Sequence, residues 1–169
     1  DTGGRAWTLG GEAGEGVEVP VAPLLAALGG FTFDLKLALG GSGTVLSLGT
    51  FADVVFSVAY RDVGWNADVG AQALAVPHDL GSVRRVAVQV GDRVGQPFTL
   101  LLDDGATDTA PLGGAFPADP AGASLCVGCG QGQTGPVAVV AGLVGEVRLT
   151  VGQRAADALL PVRPTRLAP

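Results

Sequence analysis

Along much of the chain, apolar and polar residues alternate with a period of two, in short runs separated by glycine and other turn residues. In FTFDLKLAL (Phe31 to Leu39), Phe31, Phe33, Leu35, Leu37 and Leu39 fall on one face and Thr32, Asp34, Lys36 and Ala38 on the other. Side chains of a strand point alternately to its two faces, so the pattern predicts a half-buried antiparallel strand. GTVLSLG (Gly43 to Gly49) follows after a hairpin-like Gly40-Gly41-Ser42, and DVVFSVAY (Asp53 to Tyr60) and VGWNADV (Val63 to Val69) read as further strands. RRVAVQVGDR (Arg84 to Arg93) alternates at Val86, Val88 and Val90. PFTLLLDDG (Pro97 to Gly105) ends in an Asp-Gly turn, and SLCVG (Ser124 to Gly128) and VGEVRLTVG (Val144 to Gly152) close the series. Helix is scarce. VAPLLAALG (Val21 to Gly29) is spaced for one or two turns stopped by Gly29-Gly30, and RAADALL (Arg154 to Leu160) for another stopped by Pro161. Many short strands with little helix predict an all-β protein, a sandwich or a barrel.

Composition narrows the class. The 169 residues suffice for one domain that buries roughly two-thirds of its unfolded surface. Glycine (28) and proline (11) are abundant, but apolar residues recur in strand-sized pieces, which argues for folding rather than disorder. Residues 1–161 are expected to form one sandwich, and the proline-rich 162–169 a linker or tail. Ile and Met are absent, and Lys36, Asn66 and Tyr60 are the single examples of their kinds. That bias points to a GC-rich coding sequence, as in many bacteria and some algae. A net charge of −6 with dispersed arginines argues against nucleic acid and against anionic membrane, both of which need a basic footprint. No apolar run reaches the length of a membrane span. The first residue is Asp1, not Met, which suggests a mature or excised segment.

The order of these pieces resembles the laminin-G-like / concanavalin A-like jelly-roll family. GVEVPVAPLL (Gly16 to Leu25) is similar to that family's opening phrase, and GFTFDLKLAL (Gly30 to Leu39) to its next strand, with Leu37 near the usual Trp. GTVLSLG and RVAVQVGDRVGQPFTLLLDDG match the phrases that follow. LCVGCG (Leu125 to Gly130) and VAGLVGEVRLTVGQRAADALL match the ending. Two departures stand out: GSVRR (Gly81 to Arg85) replaces a Trp-His pair, and Leu101 replaces the Tyr of a Tyr-x-Asp-Gly phrase. The resemblance implies two antiparallel sheets packed face to face, with loops on a rim and a concave face.

Four constellations could carry chemistry. Cys126 and Cys129 form a C-x-x-C pair, but it follows a strand and leads into glycines, whereas a redox dithiol sits at a helix N-terminus. Zinc would need more ligands than two Cys and one distant His supply, and haem attachment needs a His where Gly130 stands. A local disulfide remains, expected in an oxidising compartment, against the rival reading that Cys126 simply packs in the core. The resemblance implies a rim calcium held by carboxylates and carbonyls, for which Asp103, Asp104 and Asp108 in LLDDGATD, with Asp53, are the candidates. The same residues make a solvated Asp-Asp-Gly turn without metal, and that reading is preferred. The paired carboxylates of jelly-roll glycosidases find no counterpart among Glu12, Glu15, Glu18 and Glu146. His78 reads as a loop residue, since nothing marks a serine at close range. Trp65 and Tyr60, with Trp7, could stack on a sugar, although alternation makes Trp65 equally a core residue.

The expected function is a non-catalytic recognition or adhesion module of a secreted or cell-surface protein, such as a pilus or fibre. By family analogy it would bind a glycan or a protein through its rim or concave face. The alternatives are a structural spacer whose faces pack against neighbouring modules, and an accessory carbohydrate-binding domain of a larger enzyme.

Overall fold

A computed structural model of the chain describes residues 7–9, 17–20, 30–50, 54–114, 123–128, 142–154 and 158–159. Its strands are β1 (Trp7–Leu9), β2 (Val17–Pro20), β3 (Phe31–Leu39), β4 (Gly43–Gly49), β5 (Val54–Arg61), β6 (Gly64–Val69), β7 (Gln72–Pro77), β8 (Arg85–Val90), β9 (Pro97–Leu102), β10 (Thr107–Pro111), β11 (Ser124–Val127) and β12 (Gly142–Val151). One sheet runs β1-β12-β3-β8-β9-β10 and the other β2-β11-β4-β5-β6-β7, with antiparallel pairing throughout. This is the expected sandwich.

The two sheets meet through large inward side chains. Phe31 and Phe33 of β3 reach Phe56 of β5 in the opposite sheet; Phe33 stacks on Phe56 at 5.3 Å, and Phe31 meets it edge-on at 5.7 Å. All three are essentially solvent-free, as are Leu35, Leu46, Leu48, Val58, Val86, Val88, Leu100 and Leu102 around them. Aromatic pairs in these geometries add to the stabilisation from burial itself.

The outward face of β3 departs from the half-buried expectation. Thr32 and Asp34 are each only 1% exposed, because the chain after β12 returns over that face. Gly152 accepts a hydrogen bond from Thr32 Oγ1, Arg154 one from Gln89 Nε2 and Ala158 one from Arg148 Nη2, while Leu159 is buried. Arg148 also pairs with Asp34 at 3.0 Å, directly across the β12–β3 register. The buried carboxylate of Asp34 is therefore paired with the partly exposed Arg148 guanidinium, the partner a buried charge requires.

Sequence alternation does not announce β7 and β10, yet they form the adjoining edges of the two sheets. Asp108 Oδ2 of β10 accepts the Ala75 N–H of β7 at 3.0 Å, and Gln72 bridges to Pro111 and Gly113. These contacts occupy groups that an open edge would offer to another chain. A short 3-10 turn, Leu80–Ser82, links β7 to β8. Among the described residues no helix is long and apolar enough to cross a membrane. The expected helical turn at Val21 to Gly29, most of that at Arg154 to Leu160, and the tail 162–169 lie outside the described residues.

Replacing Phe33 by Ala should lower the unfolding free energy by about 3–5 kcal/mol, a large part of a typical domain's stability. Urea denaturation measures it, and a loss below ~1 kcal/mol would mean that the inter-sheet stack is not what holds the sandwich.

Candidate functional site

The outer face of the β4–β5–β6 region gathers polar side chains that are remote in sequence. Ser47, Ser57 and Asp68 stand opposite one another on three adjacent strands, so the register turns them to the same side. Arg61 lies four residues beyond Ser57 along β5 and shares that face. Its Nη2 donates to Asp68 Oδ2 at 2.9 Å and to Ser57 Oγ at 3.3 Å, and Ser57 Oγ donates to Asp68 Oδ2 at 2.8 Å. The guanidinium is half-exposed, and its Nε and Nη1 make no hydrogen bond to a described residue. A groove of about 360 Å³ runs over these residues, bounded also by Thr44, Val54 and Gly70.

Burial changes across this face. Cys126 and Ser124 of β11 and Ser47 of β4 are buried although they point outward, whereas Arg61 and Asp68 reach solvent. Ser57 and Ala59 of β5 are buried as well, so the face opens at Arg61, the last residue of β5, and at Asp68 of β6. The β6–β7 connection that ends the groove needs a left-handed backbone, which Gly70 provides at φ +55°. An ion pair this exposed contributes only about 0–1 kcal/mol to folding. Its hydroxyl, carboxylate and guanidinium groups suit it to a ligand rich in hydroxyls, or to a carboxylate met by the remaining guanidinium N–H groups.

Nothing in the sequence reading singled out Ser57, Arg61 or Asp68. The available signal was alternation: Ser57, Ala59 and Arg61 occupy the polar phase of a strand whose other phase is Phe56, Val58 and Tyr60.

Trp65 and Tyr60 are not placed to stack on a sugar, and for Trp65 the core alternative holds. Trp65 is completely buried and Tyr60 is 8% exposed; the two rings meet edge-on at 5.6 Å inside the core. The phenol hydroxyl of Tyr60 is occupied in donating to the His78 carbonyl at 3.0 Å. Of Trp7, the structure describes the strand but not the side chain.

The calcium candidates do not converge. Asp103 Oδ2 accepts the Arg84 N–H at 3.1 Å, Asp104 Oδ1 the Ala106 N–H at 2.9 Å, and Asp108 Oδ2 the Ala75 N–H at 3.0 Å. Each carboxylate thus fixes a different piece of main chain, and among the described residues no three metal-ligating side chains come together. Calcium needs six to eight oxygens around one point, and the three described carboxylates do not gather around one. Asp53 lies outside the described residues, as does Cys129; Cys126 sits in β11.

The structure does bring a serine to His78. Ser82 Oγ lies 3.0 Å from His78 Nδ1, and Asp104 Oδ2 lies 2.6 Å from Nε2. The trio is nonetheless poorly arranged for nucleophilic attack. Ser82 Oγ donates to the Asp79 carbonyl at 2.8 Å, and its own N–H is turned back to the same carbonyl, away from a developing oxyanion. The hydrogen bond to Asp104, then the Asp79 carbonyl, raise the His78 pKa and favour the protonated ring over the free base. The Ala106 N–H, followed by His78, lowers the pKa of Asp104. What the cluster does is tie the end of β7 to the β9–β10 turn of the other sheet.

No family model and no curated protein matches the sequence. Solved structures do match in shape. The CBM40 domain of the Ruminococcus gnavus IT-sialidase, bound to α2,3-sialyllactose, superposes with a TM-score of 0.68 at 16% identity, covering 92% of this chain and 95% of that one. The NanB sialidase of Streptococcus pneumoniae gives 0.66 at 10% identity over 90% of this chain and 27% of its own. Domains LG4-5 of the mouse laminin α1 chain give 0.56 at 14%, covering 85% and 40%. The architecture is thus the concanavalin A-like, laminin-G-like jelly roll that the sequence phrases implied.

The His78–Asp104 tie should make stability pH-dependent with a definite sign. The folded pKa of His78 lies above its ordinary 6.5, so its contribution is complete below about pH 6.5 and is lost as pH rises through the raised value. That of Asp104 lies below 3.8, so its contribution is present above about pH 3.8 and is lost as pH falls through the lowered value. Between those limits wild type should exceed Asp104→Asn most clearly in urea midpoint, and the gap should narrow as pH rises through the raised His78 value. A gap constant with pH would show that the contact is not charge-assisted.

Proposed function

We propose that this protein is a non-catalytic recognition module that works outside the cell or at its surface and binds a glycan on the outer face of β4, β5 and β6. One observation carries the reading: Arg61 and Asp68, joined through the buried Ser57 hydroxyl, line a groove on the outer face, and the Nε and Nη1 groups of Arg61 hydrogen-bond to no described residue. Sugar hydroxyls both donate and accept, and a rigid sheet presenting both kinds of partner lowers the ordering cost of binding. Sialylated glycans come first among candidates, because the similarly shaped CBM40 domain is bound to sialyllactose and an acidic sugar would suit Arg61. A role as the accessory domain of a larger enzyme is the second reading. It is supported by the NanB sialidase, of which the matching part is 27%.

An oxidising location goes with a disulfide between Cys126 and Cys129, a small loop contributing roughly 2 kcal/mol in the chain-entropy model. It would anchor the end of β11 beside the groove. Native protein treated with an alkylating agent should gain no mass unless a reductant is added first, and two alkylated cysteines without reductant would remove the disulfide.

Calorimetric titration with sialyllactose, lactose and a panel of acidic and neutral glycans tests the function. At least one should bind, and Arg61→Ala should weaken that binding at least about tenfold, the loss of a charge-assisted contact. The same variant should unfold within ~1 kcal/mol of wild type. Silence across the panel would favour a structural spacer.

A further inference from the structure

A second groove begins where the first one ends, for Gly70 lines both. This groove, about 550 Å³, lies over the β6–β7 turn between Val69–Gln72 on one side and Leu112–Gly114 on the other. Its walls are fixed by the chain itself. Gln72 donates from Nε2 to the Pro111 carbonyl at 2.9 Å and accepts at Oε1 from the Gly113 N–H at 2.9 Å, so it acts as a strut between the sheet rims. Leu112 is held on both sides, its N–H donating to Gln96 O at 2.8 Å and its carbonyl accepting from Gly95 N at 2.9 Å. The Gly70 N–H is held by Val55 O at 3.0 Å. A groove built this way is already shaped before any ligand arrives, which limits the entropy lost on binding.

The two grooves differ in chemistry. The first has a guanidinium and a carboxylate; the second has no ionisable side chain among its described lining residues. Its floor is apolar, with Val69 and Leu112 almost wholly buried beneath small residues, and Ala71 stands exposed at its lip. An uncharged group suits it, because none of the described lining residues would compensate a buried charge.

We infer that the ligand is an oligosaccharide of at least two units. Its polar or acidic unit sits at Ser57, Arg61 and Asp68, and the next, uncharged unit crosses Gly70 into the groove beside Ala71. This rests on the first groove being a glycan site. A pyranose has weakly polar C–H faces and a hydroxyl edge, which suits a floor of aliphatic carbon and main-chain atoms.

Two changes separate this inference from the reading beneath it. Ala71→Trp places a large side chain in the second groove from an exposed turn position, and Gly114→Leu does so from the opposite wall, where a Cβ meets nothing within 4 Å. Calorimetry of the full chain is run with N-acetylneuraminic acid against 3′-sialyllactose, and with galactose against lactose. Wild type should bind the longer member of the active pair about tenfold more tightly. Both variants should erase that increment and leave the affinity for the single sugar unchanged. Equal affinity for long and short ligands, or variants that weaken both alike, would overturn the second subsite alone. Binding by none of the four sugars would overturn the first-groove reading and the second subsite together.

Discussion

The Phe33–Phe56 stack, with Phe31 edge-on against it, is the contact on which the rest of this molecule depends. It joins the middle strands of two sheets that, among the described residues, share no hydrogen-bonded ladder. Each sheet buries one face against the other because inward residues of β3, β4, β5, β8 and β9 interdigitate without water, and the backbone ladders then hold every strand at a fixed register. The register in turn decides which outward side chains become neighbours. Ser57, Arg61 and Asp68 meet for that reason, although no local sequence feature connects them.

The outer faces have opposite fates. On the first sheet, Thr32, Asp34 and Ala87 are sealed, and the segment after β12 is tied down at Gly152, Arg154 and Ala158. On the second, Ser47, Ser57 and Ala59 are sealed too, and Arg61 and Asp68 carry their polar groups to solvent. Where β7 and β10 come together, Asp108 and Gln72 spend their polar atoms on main chain, and at the β7 end His78 and Asp104 do the same work across the sheets. The rim is thus stitched, and the Arg61–Asp68 pair is what the outer face of β5 and β6 presents to solvent.

Legibility in the sequence followed the strength of alternation. β3, β8 and β12 were readable because bulky residues recur at every second position with a polar phase between them, and β4 stood out between Gly43 and Gly49. β7 and β10 were not, since QALAVP and TDTAP carry small or polar residues and a terminal proline, as protected edges do. The Asp-rich LLDDGATD stretch looked like a metal loop in one dimension. In three, its carboxylates diverge to Arg84, Ala106 and Ala75. Trp65 and Tyr60 were ambiguous because an aromatic in a strand suits either face, and packing, which the sequence does not record, put both inside. Ser82 came within reach of His78 through a 3-10 turn too short to leave a periodic signal.

The central claim is spatial: recognition takes place on the outer face of β4, β5 and β6. Backbone amide NMR of the protein titrated with a bound glycan locates it directly. The predicted result is a contiguous set of shifted resonances at Ser57, Arg61, Asp68 and Gly70, with the β9–β10 turn around Asp103 and Asp104 unmoved. Shifts confined to that turn, or to the outer face of β3 and β8, would contradict it.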